Sequence, residues 1–327
     1  MDIRTANTTA YYIKGRVTVL LFIQSKFASK IVLSIDFYAL KYYNIINYIK
    51  RCNIMKTSMW SSYFMDLSPE DAILELKKNG YYYTELSDEH AAMLMKRGDP
   101  VEVGKAFGEF ARANGVGVLQ GHLSLSFTIC DGGKSIELVK KWLDLFDAIG
   151  ITSAVLHCDR IRYEENVGVD ERIDRNVEAL KELCSYIEGR EIRICIESCR
   201  SDFPLMGSAE EILYIIDRVG SERMGVCLDT GHLNLTSNKD QEKFILTVGN
   251  KLTALHIADN DRSGDQHIMP FGMGNVNWTV VMKSLKKIGY DGLFNYEIPG
   301  ERGCPDCIKS AKLKYLLEVS EYLDSIE

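Results

Sequence analysis

The run Gly225 to His232, GVCLDTGH, begins as an apolar segment and ends in a carboxylate and an imidazole, Asp229 and His232. A second run, HIADNDRSGDQH, starts at His256 and adds Asp265 and His267. Both read as buried strands that stop abruptly in acid and imidazole groups. Such groups are costly to bury unless they are paired or bind a cation. An oxygen and nitrogen donor set of this kind suits a hard or borderline divalent metal. The chemistry expected is therefore that of a metal site at the mouth of an α/β fold.

Stepping outward, residues from Met55 onward alternate strand and helix patterns. The expected strands are 56–60, 81–86, 116–122, 152–157, 192–197, 224–229, 252–257 and 292–297. Between them lie helical repeats such as Val139, Trp142, Leu143 and Phe146, and Val177, Leu180, Cys184 and Ile187, at i, i+3, i+4, i+7 type spacing. Ser68-Pro69-Glu70-Asp71 reads as a helix start, with Ser at the N-cap and Pro at N1. Strand–helix alternation implies a parallel sheet. Eight such units predict a (β/α)₈ barrel, whose active site lies at the C-terminal ends of its strands.

Those ends carry His122, His157, Glu197, Asp229 with His232 just after it, His256 and Glu297, followed by the loop residues Asp265 and His267. Five of the six His of the chain thus fall in one set. The sixth, His90, is expected to be solvated. Trp60 and Glu85 end the first two strands. Trp60 reads equally as an apolar wall for a ligand or as packing at the rim. The run Tyr81-Tyr82-Tyr83 is read as strand propensity alone.

From Met55 to the C-terminus the chain resembles the xylose-isomerase-like barrel superfamily. The motifs that carry this are ICIES at 194–198, GVCLDTGH at 225–232, HIADN at 256–260, DQH at 265–267, PFGMGNVNW at 270–278 and GYDGLFNYE at 289–297. The superfamily holds sugar and sugar-phosphate isomerases and epimerases, and the endonuclease IV type of apurinic endonuclease. In the ketose-epimerase branch the resemblance implies that Glu197, Asp229, His256 and Glu297 hold one divalent metal (Mn, Mg, Co or Zn). Glu197 and Glu297 would then be the catalytic acid–base pair, and His232 and Arg262 would contact substrate oxygens. Arg262 reads equally as an exposed loop charge. His122 and His157 would line the sugar pocket.

The endonuclease branch implies three zinc ions and nine ligands, and a residue of the right type stands at each: His122, His157, Glu197, Asp229, His232, His256, Asp265, His267 and Glu297. Against it, the loop reads DQH, where the endonucleases usually place Arg between Asp and His. The reading favoured is a metal-dependent isomerase or epimerase of a sugar, sugar phosphate or related polyol. The alternative is a zinc-dependent apurinic endonuclease.

Residues 1–54 stand apart. They carry five Lys and three Arg against two Asp, a net of +6 in a chain of net charge −7, which leaves −13 for the remainder. Their apolar residues follow no clean period, and the resemblance does not reach them. They are expected to be a peripheral extension or translated upstream sequence, with a helical appendage as the contrary reading, and 55–327 the functional barrel. An acidic barrel disfavours duplex DNA, since non-specific DNA affinity comes from Lys and Arg on phosphates. The expected partner is a small-molecule sugar, with neither nucleic acid nor membrane favoured and a homo-oligomer compatible.

The nine scattered Cys point to a reducing cytoplasm rather than a disulfide framework. Cys304-Pro305-Asp306-Cys307 lacks the further ligands of a zinc site and is read as two ordinary thiols. Gly272-Met273-Gly274 is read as a tight turn rather than a phosphate cradle.

Overall fold

The computed structural model describes residues 6–13, 16–23 and 55–327, apart from 128, 132, 159–166, 200–205 and 237–239. Residues 1–54 and 55–327 form separate units. In the first, β1 (Ala6–Ile13) and β2 (Arg16–Ile23) pair antiparallel over their whole length.

The second unit contains eight parallel strands: β3 (Lys56–Trp60), β4 (Tyr83–Leu86), β5 (Gly117–His122), β6 (Ser153–Leu156), β7 (Arg193–Glu197), β8 (Met224–Asp229), β9 (Leu252–His256) and β10 (Leu293–Tyr296). Each falls within one of the eight expected segments. Continuous ladders run β10-β3-β4-β5-β6-β7-β8-β9. The remaining seam, β9 to β10, is joined just past β9, where Ile257 N–H donates to Asn295 O (2.7 Å) and Glu297 N–H donates to Ile257 O (3.2 Å). The sheet thereby curls into a nearly closed barrel.

The helices follow local rules. In α1 (Pro69–Lys78), Ser68 accepts from Asp71 N and Pro69 occupies the first turn. α2 (Asp88–Met95) and α3 (Pro100–Ala113) follow β4. The expected faces of α4 (Gly133–Ile149) and α5 (Val169–Tyr186) are buried: Val139, Trp142, Leu143 and Phe146 in one, Val177, Leu180 and Cys184 in the other, with Ile187 just beyond it. α6 (Ala209–Val219) ends on Gly220 in the left-handed conformation that glycine adopts without strain. α7 (Thr230–Leu235), α8 (Gln241–Val248), α9 (Trp278–Ile288) and α10 (Asp306–Asp324) complete the circuit. Inside the barrel, Val155, Cys195, Cys227 and Ala254 form a plug of small buried side chains, apart from the main core between strands and helices. No helix among the described residues is long and apolar enough to cross a membrane.

All eight strands of the barrel lie after Met55. Expression from Met55 is therefore expected to give a soluble protein with the full chain's activity. An insoluble or inactive product would show that residues 1–54 are needed.

Candidate functional site

The inward face of each strand presents alternate residues, so Cys195 and Glu197, or Cys227 and Asp229, point the same way. Above those small residues, β5, β7, β8 and β9 end in His122, Glu197, Asp229 and His256. Two irregularities in register set which groups meet. Between β8 and β9 the pairing slips after Val226, so that Asp229 lies level with His256. Between β4 and β5 it slips at Thr84/Glu85, so that Glu85 lies level with Gln120. Bulges of this kind re-aim side chains next to sites.

Glu197, Asp229, His256 and Glu297 each offer a ligand atom, and these atoms all lie within 4.8 Å of one another. All four residues are buried. Three of the atoms lack a hydrogen-bond partner: Asp229 Oδ2, His256 Nδ1 and Glu297 Oε2. His256 Nδ1 stands 3.2 Å from both Glu197 Oε1 and Glu297 Oε2, but neither approach has the alignment of a hydrogen bond. Each unmet buried polar group costs about 1–3 kcal/mol. Three of them converging beside the Glu197 carboxylate fit the donor set of a divalent cation.

The remaining predicted residues surround this centre. Glu197 Oε2 receives His122 Nε2 (3.2 Å) and His157 Nε2 (2.8 Å). Asp229 ends β8 and also caps α7, its Oδ1 accepting from His232 N at 2.6 Å. That double role explains the spacing of DTGH, since it places His232 in the first turn facing back to the strand ends. His232 Nδ1 lies 3.1 Å from Ser198 O, and its Nε2 lies 3.1 Å from Asp265 Oδ2. His267 donates from Nδ1 to Glu297 O (2.8 Å) and meets Asp265 Oδ1 through Nε2 (3.1 Å). Two further groups of candidate ligand atoms result, His122 with Glu197 and His256, and Asp229 with His232 and His267.

Arg262 does not join either. It is exposed, with φ of 74°, and lines a separate cavity of about 290 Å³ with Asn234, Asp240, Gln241, Asn275 and Asn277.

The charges are interlocked. Burial pushes the Glu197 carboxyl up, but His157, His256 and His122 prevail and hold it well below its usual range. Burial likewise opposes Glu297, which His256 and His267 hold down at about 2. Asp229 is instead pushed up to about 7, chiefly by burial. Burial would lower His122 and His267, but Glu197 raises the first to about 9, and Glu297 and Asp265 raise the second to about 10.

Some expectations are corrected. His90 is fully buried, not solvated: it sits in the first turn of α2, with Nδ1 2.9 Å from Ser61 Oγ and Nε2 3.3 Å from Leu67 O. Ser87 Oγ accepts from the His90 backbone N–H at the start of the helix, and burial lowers the pKa of the imidazole. The tyrosine run is more than strand propensity. Tyr81 precedes β4, is buried, and donates to Leu313 O on α10 at 3.0 Å.

Trp60 is half-buried, with Nε1 lacking a partner. Cys304 and Cys307 are free thiols at the start of α10. The segment after His267 folds over Asp259, whose carboxylate accepts from Val276 N and Trp278 Nε1 at 3.0 Å each. A Cβ on Gly274 would stand 2.1 Å from that carboxylate, so glycine is required there.

Glu85, at the end of β4, was given no role by sequence reasoning. It is fully buried and pairs with His256 through Oε1 at 3.0 Å. The available signal was a lone carboxylate inside the expected strand 81–86.

A family described as the xylose isomerase-like TIM barrel matches residues 73–325. The L-ribulose 3-epimerase of Methylomonas sp. (strain DH-1) is 29% identical over 167 residues, covering 50% of this chain and 56% of that protein. A probable endonuclease 4 of Carboxydothermus hydrogenoformans is 35% identical over 101 residues, 31% of this chain and 34% of that one. The chain spans about half the length of the first curated relatives it matches. The D-psicose 3-epimerase of Clostridium cellulolyticum H10, solved with D-tagatose, superposes with a TM-score of 0.71 at 18% identity, over 82% of this chain and 99% of that one. That last likeness concerns the fold.

Proposed function

The chain belongs to the xylose isomerase-like TIM-barrel family, and from that premise we propose that it is a divalent-metal-dependent epimerase or isomerase of a ketose, ketose phosphate or related polyol. The observation that carries this reading is the convergence of the unpartnered Asp229 Oδ2, His256 Nδ1 and Glu297 Oε2 beside Glu197. These four residues would hold the metal. A bound divalent ion supplies Lewis acidity toward a ketose carbonyl and its neighbouring hydroxyl.

The proton work falls to the chain. Glu197 ends β7 and Glu297 follows β10, three strands away around the barrel. One carboxylate takes the proton from the carbon beside the carbonyl and the other returns one from the opposite side, inverting that carbon. Return to the neighbouring carbon would instead exchange aldose and ketose. His122 and His157 hold Glu197 Oε2 in place, and His232 would reach a substrate oxygen by giving up its contact to Asp265.

A second reading rests on the two further ligand groups, His122–Glu197–His256 and Asp229–His232–His267. Three adjoining donor groups would suit a multi-zinc phosphodiesterase acting on abasic DNA. The net charge of −13 over residues 55–327 weighs against it.

The test combines metal analysis of the purified full chain with a screen of ketoses and ketose phosphates in heavy water. Bound divalent metal and deuterium on the carbon beside the carbonyl are expected. Cleavage of abasic duplex DNA at low protein concentration, with no ketose turned over, would overturn the proposal in favour of the second reading.

A further inference from the structure

Glu85 belongs to a chain of buried polar groups that crosses the barrel beneath the site. Ser58 on β3, Glu85 on β4, Gln120 on β5, His256 on β9 and Asn295 on β10 are each 0–1% exposed. Ser58 Oγ donates to Asn295 Oδ1 at 2.8 Å, which turns the amide nitrogen of Asn295 toward Glu85 Oε2 in a short hydrogen bond. Gln120 Nε2 donates to the same Oε2 at 3.0 Å and to Leu255 O at 3.2 Å. Glu85 Oε1 faces His256 Nε2 at 3.0 Å. A carboxylate buried this deeply must be met by donors, and Asn295 and Gln120 can only donate through those nitrogens. The arrangement makes His256 Nε2 the third donor.

An imidazole that donates through Nε2 keeps Nδ1 free to act as a ligand. Nδ1 is the atom that faces Glu197 and Glu297 without a hydrogen bond. We propose that Glu85 is a positioning residue, which fixes the tautomer and ring plane of His256 so that Nδ1 is presented to a divalent ion. This inference rests on the preceding reading that Glu197, Asp229, His256 and Glu297 hold that ion. The register slip at Thr84/Glu85 has a function in this account: it sets the Glu85 carboxylate level with Gln120 and aims it across the barrel at His256.

The test uses the full chain, stripped of metal and titrated with Co²⁺ alone, read by visible absorption, with thermal melting of the stripped protein measured in parallel. In Glu85→Gln one amide hydrogen-bonding edge must face donors that it cannot accept from. Its Co²⁺ dissociation constant is expected to rise about 10–100-fold, with a shifted absorption band. Glu85→Asp keeps the charge one methylene shorter and is expected to recover part of the affinity.

If Glu85→Gln melts lower yet binds Co²⁺ with the wild-type affinity and spectrum, the residue only ties strands together and the proposal is overturned. If Glu85→Gln does not fold, Glu85→Asp decides: an unchanged affinity and spectrum overturn the proposal, and a weakened affinity with a shifted band supports it. Wild-type protein that takes up no Co²⁺ is a distinct result. It refutes the metal reading itself, and the positioning role falls with it.

Discussion

Glu197→Gln and Glu297→Gln are each expected to lower turnover by about 10²–10⁴-fold, the usual worth of general acid–base catalysis. The substrate is whichever ketose the screen identifies. Gln preserves size and one oxygen donor, so metal remains partly bound while the proton acceptor is gone. The two variants should differ in a second respect. Glu197 also anchors His122 and His157 through Oε2, whereas Glu297 leaves its Oε2 unpartnered. Glu197→Gln should therefore perturb the site more broadly, raising KM as well as lowering kcat, and Glu297→Gln should act mainly on kcat. Deuterium incorporation measured on each variant separates the two steps. Loss of exchange in neither variant, with turnover intact, would remove both residues from the mechanism.

Chelation is expected to abolish turnover and to lower the thermal midpoint, with both restored by added divalent ion. An ion present at about a thousand times its dissociation constant stabilises the folded state by about 4 kcal/mol. The gap between loaded and stripped protein should widen with pH. In the stripped protein, the raised pKa values of His122 (about 9) and His267 (about 10) mean that the folded state holds these protons more tightly than the unfolded chain. Their contribution to stability is fully present below the ordinary histidine pKa, about 6.5. It is lost as pH rises through about 9 and 10. Asp229, raised to about 7, acts in the same direction, since ionising it in the folded state costs stability as pH rises toward 7. A cation takes over the role of those protons and binds better as ligands deprotonate. Melting curves of stripped and loaded protein at pH 7 and pH 10 check this. A gap that narrows with pH would contradict it.

The local code of the chain was sufficient for the elements and for the polar ends of the strands. Strand and helix periods, the Ser68-Pro69 start and the buried faces of α4 and α5 are short-range patterns, and each follows from backbone geometry within a few residues. The clustering of five His and the carboxylates at strand ends was legible for the same reason, because an apolar run that stops in acid and imidazole can be read in one dimension.

What faces what was decided by closure of the sheet. Glu85 and His256 are 171 residues apart and meet only because β9 and β10 come round to β3 and β4. The two register slips, which bring Asp229 level with His256 and Glu85 level with Gln120, leave no trace in hydrophobic period. His90 looked solvated because nothing adjacent in sequence buries it. Ser61 and Leu67, from the connection after β3, do so. Arg262 turns to another cavity through a backbone conformation that its side chain type does not disclose. Burial of a polar group depends on partners supplied by distant strands, and that pairing exists only once the barrel has closed.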